Sequence, residues 1–400
     1  MKIKRVLPAY IFLVLFCSCQ SQKKDLSTIS LHPSDLEIYS GPLEDILEIE
    51  KIVTLETNPD ALLGDIMGFA QSESGILIRN QGNKSFFIYE EDGSFRTKIA
   101  KEGKGPGEYV AAYGQDWIPT ENNEKDEIVI SDIYGKKVLF FSSDGEFISE
   151  AKIPYRIHNV ASVSPNYILC HHGRFPFRGK NSEIPCELIV LDREGTEIKK
   201  FFPYAEPLLF ELATGFSQGI NSSGITYFKQ LDPTIYHINQ ELMLDTLWKF
   251  DFGNLNPDTS YLLVPGAEGG ERVGKTLETN PFLYLGRMVQ NNNTLMVSHF
   301  FKKTQHNIFI NNKSRNTMTI KADSISQIGD WNSLPVQIPE WSYKESFVYD
   351  LSAIDWREML HGLDKETKAY MRKELPGFEK AEQVKENDNP VLVYFKLKDF

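Results

Sequence analysis

A unit of about fifty residues recurs along this 400-residue chain, and that repeat limits the fold more than any other feature. Each unit carries a short apolar strand, a polar turn, a second apolar strand, a tight turn, and a third strand. In the first unit Ile76-Leu77-Ile78 and Phe86-Phe87-Ile88-Tyr89 precede Asp92-Gly93 and Phe95 to Ile99. In the second, Ile128-Val129-Ile130 and Val138 to Phe141 precede Asp144-Gly145 and Phe147 to Ile153, with Asp144 52 positions after Asp92. The third runs through Tyr167 to Leu169, Leu188 to Leu191, Glu194-Gly195 and Glu197 to Phe202. The fourth uses Ile225 to Phe228, Ile235 to Ile238, Asn239-Gln240 and Leu242 to Phe250. The fifth uses Leu295 to Val297, Asn307 to Ile310, Asn311-Asn312 and Met318 to Ile320. Short strands joined by turns that tolerate positive φ, at so long a period, predict propeller blades rather than a sandwich.

The sixth unit is split. Phe347-Val348-Tyr349 opens it and Val391 to Phe395 resumes it, while Trp356 to Lys385 reads as helix interrupted at Pro376-Gly377. A lone strand, Ile52 to Leu55, precedes the first unit and can complete the last blade. The expectation is an all-β, six-bladed β-propeller of four-stranded antiparallel blades over residues 46–400. Its ring is closed by the N-terminal strand, with a helical insertion at about 355–385 in the last blade.

The N-terminus supplies an address. Met1-Lys2-Ile3-Lys4-Arg5 is basic, and Val6 to Cys17 is apolar apart from Pro8 and Tyr10. This is the pattern of a signal peptide over residues 1–18, too short to span a bilayer. Ser18-Cys19 resembles a bacterial lipobox, and the resemblance implies that Cys19 is acylated after cleavage; the competing reading is an ordinary signal peptide cut nearby. Residues 19–45 are then the lipidated cysteine and a polar tether. Cleavage removes three of 43 basic residues and none of 55 acidic ones, taking the formal charge from −12 to −15. The acyl chains, not the protein's charge, would hold the membrane. The acidic balance also argues against nucleic acid as a partner.

After processing, Cys170 and Cys186 remain, flanking a turn-rich stretch between two strands. They are a candidate disulfide in an oxidising compartment, roughly opposite one another, or else two separate half-buried thiols.

One motif is more specific. Gly103-Lys104-Gly105-Pro106-Gly107-Glu108-Tyr109 resembles the inter-blade stretch of NHL-repeat propellers. With the lipobox and the closing Asn389-Pro390-Val391-Leu392-Val393, the chain resembles the six-bladed β-propeller lipoproteins common in Bacteroidetes. That likeness implies an outer-membrane lipoprotein facing the periplasm or the cell surface. It supplies no catalytic motif to carry over, and fold does not imply function.

Two catalytic patterns fail in context. Gly269 to Thr276 satisfies the phosphate-loop spacing, but Asn280-Pro281 stops the helix that the loop needs, so no nucleotide partner is expected. Gly215-Phe216-Ser217-Gln218-Gly219 matches a nucleophile elbow, yet a turn cluster follows where a helix is required. His171 and His172 are neighbours on a strand and point to opposite faces, so they cannot chelate together. No cofactor is expected, although Asp132 and Asp350 sit where propeller enzymes sometimes hold calcium; the competing reading has them capping turns. Trp117, Trp331 and Trp341 are candidate sugar-stacking residues unless they belong to blade joins. The favoured reading is a non-catalytic binding or scaffolding module for a glycan, a peptide or an envelope protein. The alternative is a propeller hydrolase or lyase with its site in the central channel.

Overall fold

The computed structural model describes residues 28–30, 38–41, 45–80, 85–120, 125–154, 156–172, 186–203, 216–221, 224–228, 232–253, 282–301, 304–321, 339–398 and 400. Cys19, the phosphate-loop pattern at 269–276 and Trp331 lie outside them. Strand β1 (Thr28–Ser30) and strand β2 (Leu47–Thr54) precede the first blade, which comprises β3 (Ile66–Ser72), β4 (Gly75–Asn80), β5 (Phe86–Tyr89) and β6 (Phe95–Ile99). Blade 2 is β7 (Ala112–Ile118), β8 (Glu127–Asp132), β9 (Lys137–Phe141) and β10 (Phe147–Lys152). Blade 3 is β11 (Asn159–Ser164), β12 (Tyr167–His171), β13 (Cys186–Leu191) and β14 (Glu197–Pro203). Blade 4 is β15 (Phe216–Asn221), β16 (Gly224–Phe228), β17 (Thr234–Asn239) and β18 (Leu244–Asp251). Blade 5 is β19 (Phe282–Gln290), β20 (Thr294–Phe301), β21 (Thr304–Asn311) and β22 (Thr317–Lys321). Blade 6 takes β23 (Trp341–Tyr343), β24 (Ser346–Leu351) and β25 (Val391–Leu397), with β2 as its outermost strand.

Six blades of four antiparallel strands therefore form a ring, as the repeat predicts. The middle strands of each blade are covered on both faces by neighbouring blades, so β5 reads as an unbroken apolar run, β9 as one after Lys137, and both are buried throughout. One apolar cluster fills each junction. Leu77 and Ile88 meet Ile128 and Leu139 between blades 1 and 2, and Val129 and Phe140 meet Ile168 and Ile189 between blades 2 and 3. Each such side chain contributes roughly 1.5–3 kcal/mol when fully buried.

Ring closure follows the predicted pairing and extends it. β2 runs antiparallel to β25 from Leu47 opposite Leu397 to Thr54 opposite Val391. The insertion between β24 and β25 forms α1 (Ala353–Gly362), α2 (Lys365–Glu374) and α3 (Phe378–Ala381). The side chains of Ser352 and Asp364 cap α1 and α2 by accepting from Asp355 and Thr367 backbone N–H groups. Trp356 is fully buried and donates its indole N–H to the Ala381 carbonyl at 2.7 Å, tying α1 to α3.

The stretch read as tether is partly laid against the ring. β1 pairs in parallel with β18 on the outside of blade 4, Thr28 opposite Lys249. Ile38 then bridges Thr319 on the outer strand of blade 5, and Tyr39 N–H donates to the Thr319 carbonyl at 2.8 Å. The N-terminal segment thus passes blades 4 and 5 before it joins blade 6.

A half-buried carboxylate joins two inner strands. Asp116 on β7 accepts the Ser162 N–H of β11 at 2.7 Å and the Trp117 N–H at 2.8 Å, and burial pushes its pKa up to about 7. Between about pH 4 and pH 7 the unfolded chain has released this proton while the folded one retains it, so Asp116 erodes stability as pH rises. His172 works the other way, because burial lowers its pKa to about 4 and the unfolded chain takes up the proton first as pH falls. Asp116→Asn should gain on the parent protein by on the order of 2 kcal/mol as pH is raised from 4 to 7. Denaturant melts at the two pH values check it; a difference that stays constant with pH rejects this role.

Candidate functional site

The connections are unevenly shared between the two ends of the ring. At one end, no connection between the first and second or third and fourth strands exceeds the eight residues 119–126. The strand ends joined from second to third strands or from one blade to the next face the opposite way, and five of these connections, 172–185, 204–215, 252–281, 322–340 and 352–390, are longer in sequence. Binding residues concentrate on loops carried by a rigid scaffold, so the long-loop end is the candidate face.

The fifth residue of each second strand sits near this end and points at the following blade. In order these are Arg79, Ser131, His171, Phe228, Ser298 and Asp350, at a place where core packing alone would favour an apolar side chain. Arg79 is half-buried; its Nη2 donates to the Met67 carbonyl at 2.7 Å, and its guanidinium lies 5.8 Å from the ring centroid of Tyr113 on blade 2. Tyr113 is 46% exposed, and its ring centroid lies 5.7 Å from that of His158 at the start of blade 3. Burial first, and Arg156 second, lower the His158 pKa, which keeps the imidazole neutral at pH 7. Exposed Arg156 stands 5.5 Å from the ring of Tyr134, itself 59% exposed. Blades 1 to 3 thus present a rim of two arginines and two accessible tyrosines. On blade 6, beside blade 1, Asp350 is pushed up to about 6 by burial and then by Glu340 and Asp65.

The residues singled out in the sequence scatter around this rim rather than forming it. Asp132 is fully buried, and its two oxygens accept the N–H groups of Val110, Ala111 and Gly135 at 2.9 to 3.0 Å. It organises a turn and is not a channel carboxylate. Among the described residues no three His, Cys, Asp or Glu side chains converge as a metal site. His171 lies against Tyr227, with ring centroids 6.1 Å apart, while His172 Nδ1 stands 3.0 Å from the Arg156 carbonyl. Trp117 is 5% exposed and donates its indole N–H to the Ala70 carbonyl at 3.1 Å, and Trp341 stacks on Phe69; both belong to blade joins. Ser217 lies within β15 opposite Thr226, without the turn and helix of an elbow. Cys170 and Cys186 are buried free thiols. The register puts Ile189 opposite Cys170, leaves Cys186 three residues further along β13, and lets its thiol donate to the Leu188 carbonyl.

The glycine motif is a latch between blades. Tyr109 N–H donates to the Lys101 carbonyl and Gly103 N–H to the Tyr109 carbonyl, while the buried Tyr109 hydroxyl donates to the Ile99 carbonyl at 3.0 Å. Gly105 N–H donates to Glu108 Oε2 at 2.8 Å, folding the exposed Pro106 into a tight turn. Gly107, at φ +74°, donates to Glu150 Oε2, which also takes the buried Lys137 ammonium at 2.7 Å. Burial alone would raise the Glu150 pKa, but Lys137 and Gly107 outweigh it and hold the carboxyl below its ordinary value. A Cβ at Gly107 would meet the Phe147 ring at 2.7 Å in a left-handed backbone, whereas one at Gly105 meets only the movable end of Glu108 at 3.1 Å. Gly107→Ala should cost about 2–3 kcal/mol and Gly105→Ala under about 1 kcal/mol. Equal melting midpoints for the two variants would contradict this.

The family described as domain of unknown function DUF4934 matches residues 37–396, nearly all of the ring. The chain belongs to that family. A Bacteroides fragilis protein described as exported is 17% identical, with a TM-score of 0.65 over 93% of this chain and 100% of that one. A Bacteroides vulgatus member of the DUF4221 family is 11% identical, with a TM-score of 0.52 over 88% and 98% of the two chains. At such identities the likeness carries the fold of this DUF4934 propeller alone. A search of curated proteins finds no match. No helix among the described residues is long and apolar enough to cross a membrane.

Proposed function

We propose that this DUF4934 propeller is a lipid-anchored, extracytoplasmic binding module of the outer membrane that takes a glycan, peptide or envelope protein at its long-loop face without chemical turnover. The observation that carries the reading is the rim of blades 1 to 3, where the accessible Tyr113 is held between Arg79 and His158. Aromatic groups with one apolar face and one wet edge are favoured at binding surfaces. A thermal-shift screen of glycans and peptides is expected to yield a ligand whose shift disappears in Tyr113→Ala while that variant's own melting midpoint is retained. A ligand shift indifferent to Tyr113 would move the site elsewhere.

Anchoring rests on the lipobox-like Ser18-Cys19, and the description of the Bacteroides fragilis structural neighbour as exported accords with it. Cys19→Ala should abolish labelling by a fatty-acid analogue, and labelling that persists refutes the anchor. Asp350 favours one second reading, a hydrolase or lyase using the central channel, because a carboxyl lifted to about 6 is suited to proton transfer. Turnover of any screened ligand that Asp350→Asn abolishes would put that reading first.

A further inference from the structure

The pairing of β1 carries a direction. β18 starts at Leu244, at the end of the ring with the short connections, and finishes at Asp251, at the long-loop end. β1 lies parallel to it, with Thr28 opposite Lys249 and Ser30 opposite Asp251. The chain therefore travels along the edge of blade 4 from the short-connection end towards the long-loop end. The Ile38–Thr319 bridge on blade 5 is parallel too, so the chain passes that outer strand in the same sense.

Cys19 lies nine positions before Thr28, and so within about 30 Å of it at full extension. The path back along β18 from Lys249 to Leu244 takes five of those positions, which leaves four to pass the short-connection end. Residues 19–27 contain neither Gly nor Pro, two of the residues that most readily reverse a chain. The end of the ring to which β1 points back also shows apolar side chains. Exposed Met243 directly precedes β18, while exposed Ile148 and Ile198 are the second residues of β10 and β14, at the same end of blades 2 and 3. The turns beside them expose Asp144, Glu146, Glu194 and Glu241, which an anionic surface would repel.

We propose that the propeller stands with its short-connection end towards the bilayer and its long-loop face turned away from it, β1 being the element that sets this orientation. The orientation rests on the lipid anchor proposed above. The surface it meets is one of zwitterionic headgroups, which accept side chains such as Ile148 and Ile198 without charge repulsion, while the acyl chains supply the binding. The rim of blades 1 to 3 then stays open to a ligand too large to enter beneath a protein lying on a membrane. In the opposite orientation that rim would face the headgroups, and the chain would have to turn back along blade 4 within nine residues.

The test uses the acylated full chain on phosphatidylcholine vesicles that carry a lipid-linked energy-transfer acceptor. A donor dye is attached at Ile148→Cys in one protein and at Tyr134→Cys in another, two positions at opposite ends of the same blade. Cys170 and Cys186 are buried and stay unlabelled. Five residues of strand hold the ends of blade 2 roughly 17 Å apart, so transfer from the first label should exceed that from the second at least about twofold. Ile29→Pro, which disturbs the ladder on β18, should bring the two signals together while the ring melts nearly as before. Equal transfer from the two labels in the parent chain, or more from Tyr134→Cys, overturns the orientation, and a difference that survives Ile29→Pro overturns β1 as its cause. If the chain still needs Cys19 to stay on the vesicles, the anchor outlives either failure. A chain that leaves the vesicles with Cys19 intact sinks both.

Discussion

Removing residues 389–400 should unfold the whole ring rather than fray one end. β25 lies between β2 and β24, so its loss leaves the closing strand without a partner. Val391, Val393 and Phe395 leave the cluster shared with blade 5, and Leu392 and Tyr394 leave the one shared with blade 1. The Tyr394 hydroxyl, which donates to Gln71 Oε1 of the first blade at 2.8 Å, goes as well. At roughly 1.5–3 kcal/mol for each apolar side chain the loss is on the order of 10 kcal/mol, comparable with the entire stability of most domains. The exposed edges of β2 and β24 would also template association. Thermal melts and sedimentation velocity decide the matter: a truncated chain that melts like the parent and stays monomeric rules out this closure.

Asn389→Ala should destabilise the ring by about 3–6 kcal/mol, an unusual amount for one polar side chain. Asn389 is 1% exposed. Its Nδ2 donates to the Glu56 carbonyl at 2.7 Å and the Ala61 carbonyl at 2.6 Å, and its Oδ1 accepts the Leu63 N–H at 2.8 Å. Its own N–H donates to Thr57 Oγ1. One amide therefore fixes the path that the chain takes from the closing strand into the first blade. Truncating it takes this partner from the Glu56 carbonyl and the Leu63 N–H and leaves the Ala61 carbonyl only the longer bond from the Tyr89 hydroxyl at 3.4 Å, each lost bond costing about 1–3 kcal/mol. Guanidinium titration reads the cost directly, and a change under about 1 kcal/mol would show that the segment 56–63 finds other partners.

The blade count, the closing strand and the helical insertion were all legible because the middle strands carry apolar runs and tight turns such as Asp92-Gly93 and Asp144-Gly145 mark the start of the outer ones. The first strand of each blade was not. β3, β7 and β11 read IMGFAQS, AYGQDWI and NVASVS, a mixture of small, polar and aromatic residues with no clean period. They line the inside of the ring, where Phe69 still meets blade 6 and Ala70 blade 2, but small and polar residues break the apolar run. The candidate rim was hidden for the same reason. Tyr113 belongs to such a strand, and Arg79 ends a run, Ile76-Leu77-Ile78-Arg79, whose apolar residues drew attention away from the charge that follows. A charged residue continuing a doubly buried strand was the available signal. Asp132 and the histidine pair have the residue types of a site, whereas burial decides what each can reach.

The outer course of the N-terminal segment has a mechanical meaning. A pull applied upstream of Thr28 meets β1 on β18 first, three residues gripping in parallel. Only after that grip slips does the load reach the Ile38–Thr319 bridge, and only then β2, whose seven residue pairs with β25 keep the ring shut. Tension thus arrives at the seam last, after two weaker fastenings have yielded in turn. Such a pull is absorbed outside blades 4 and 5 before it reaches the seam beside blade 1.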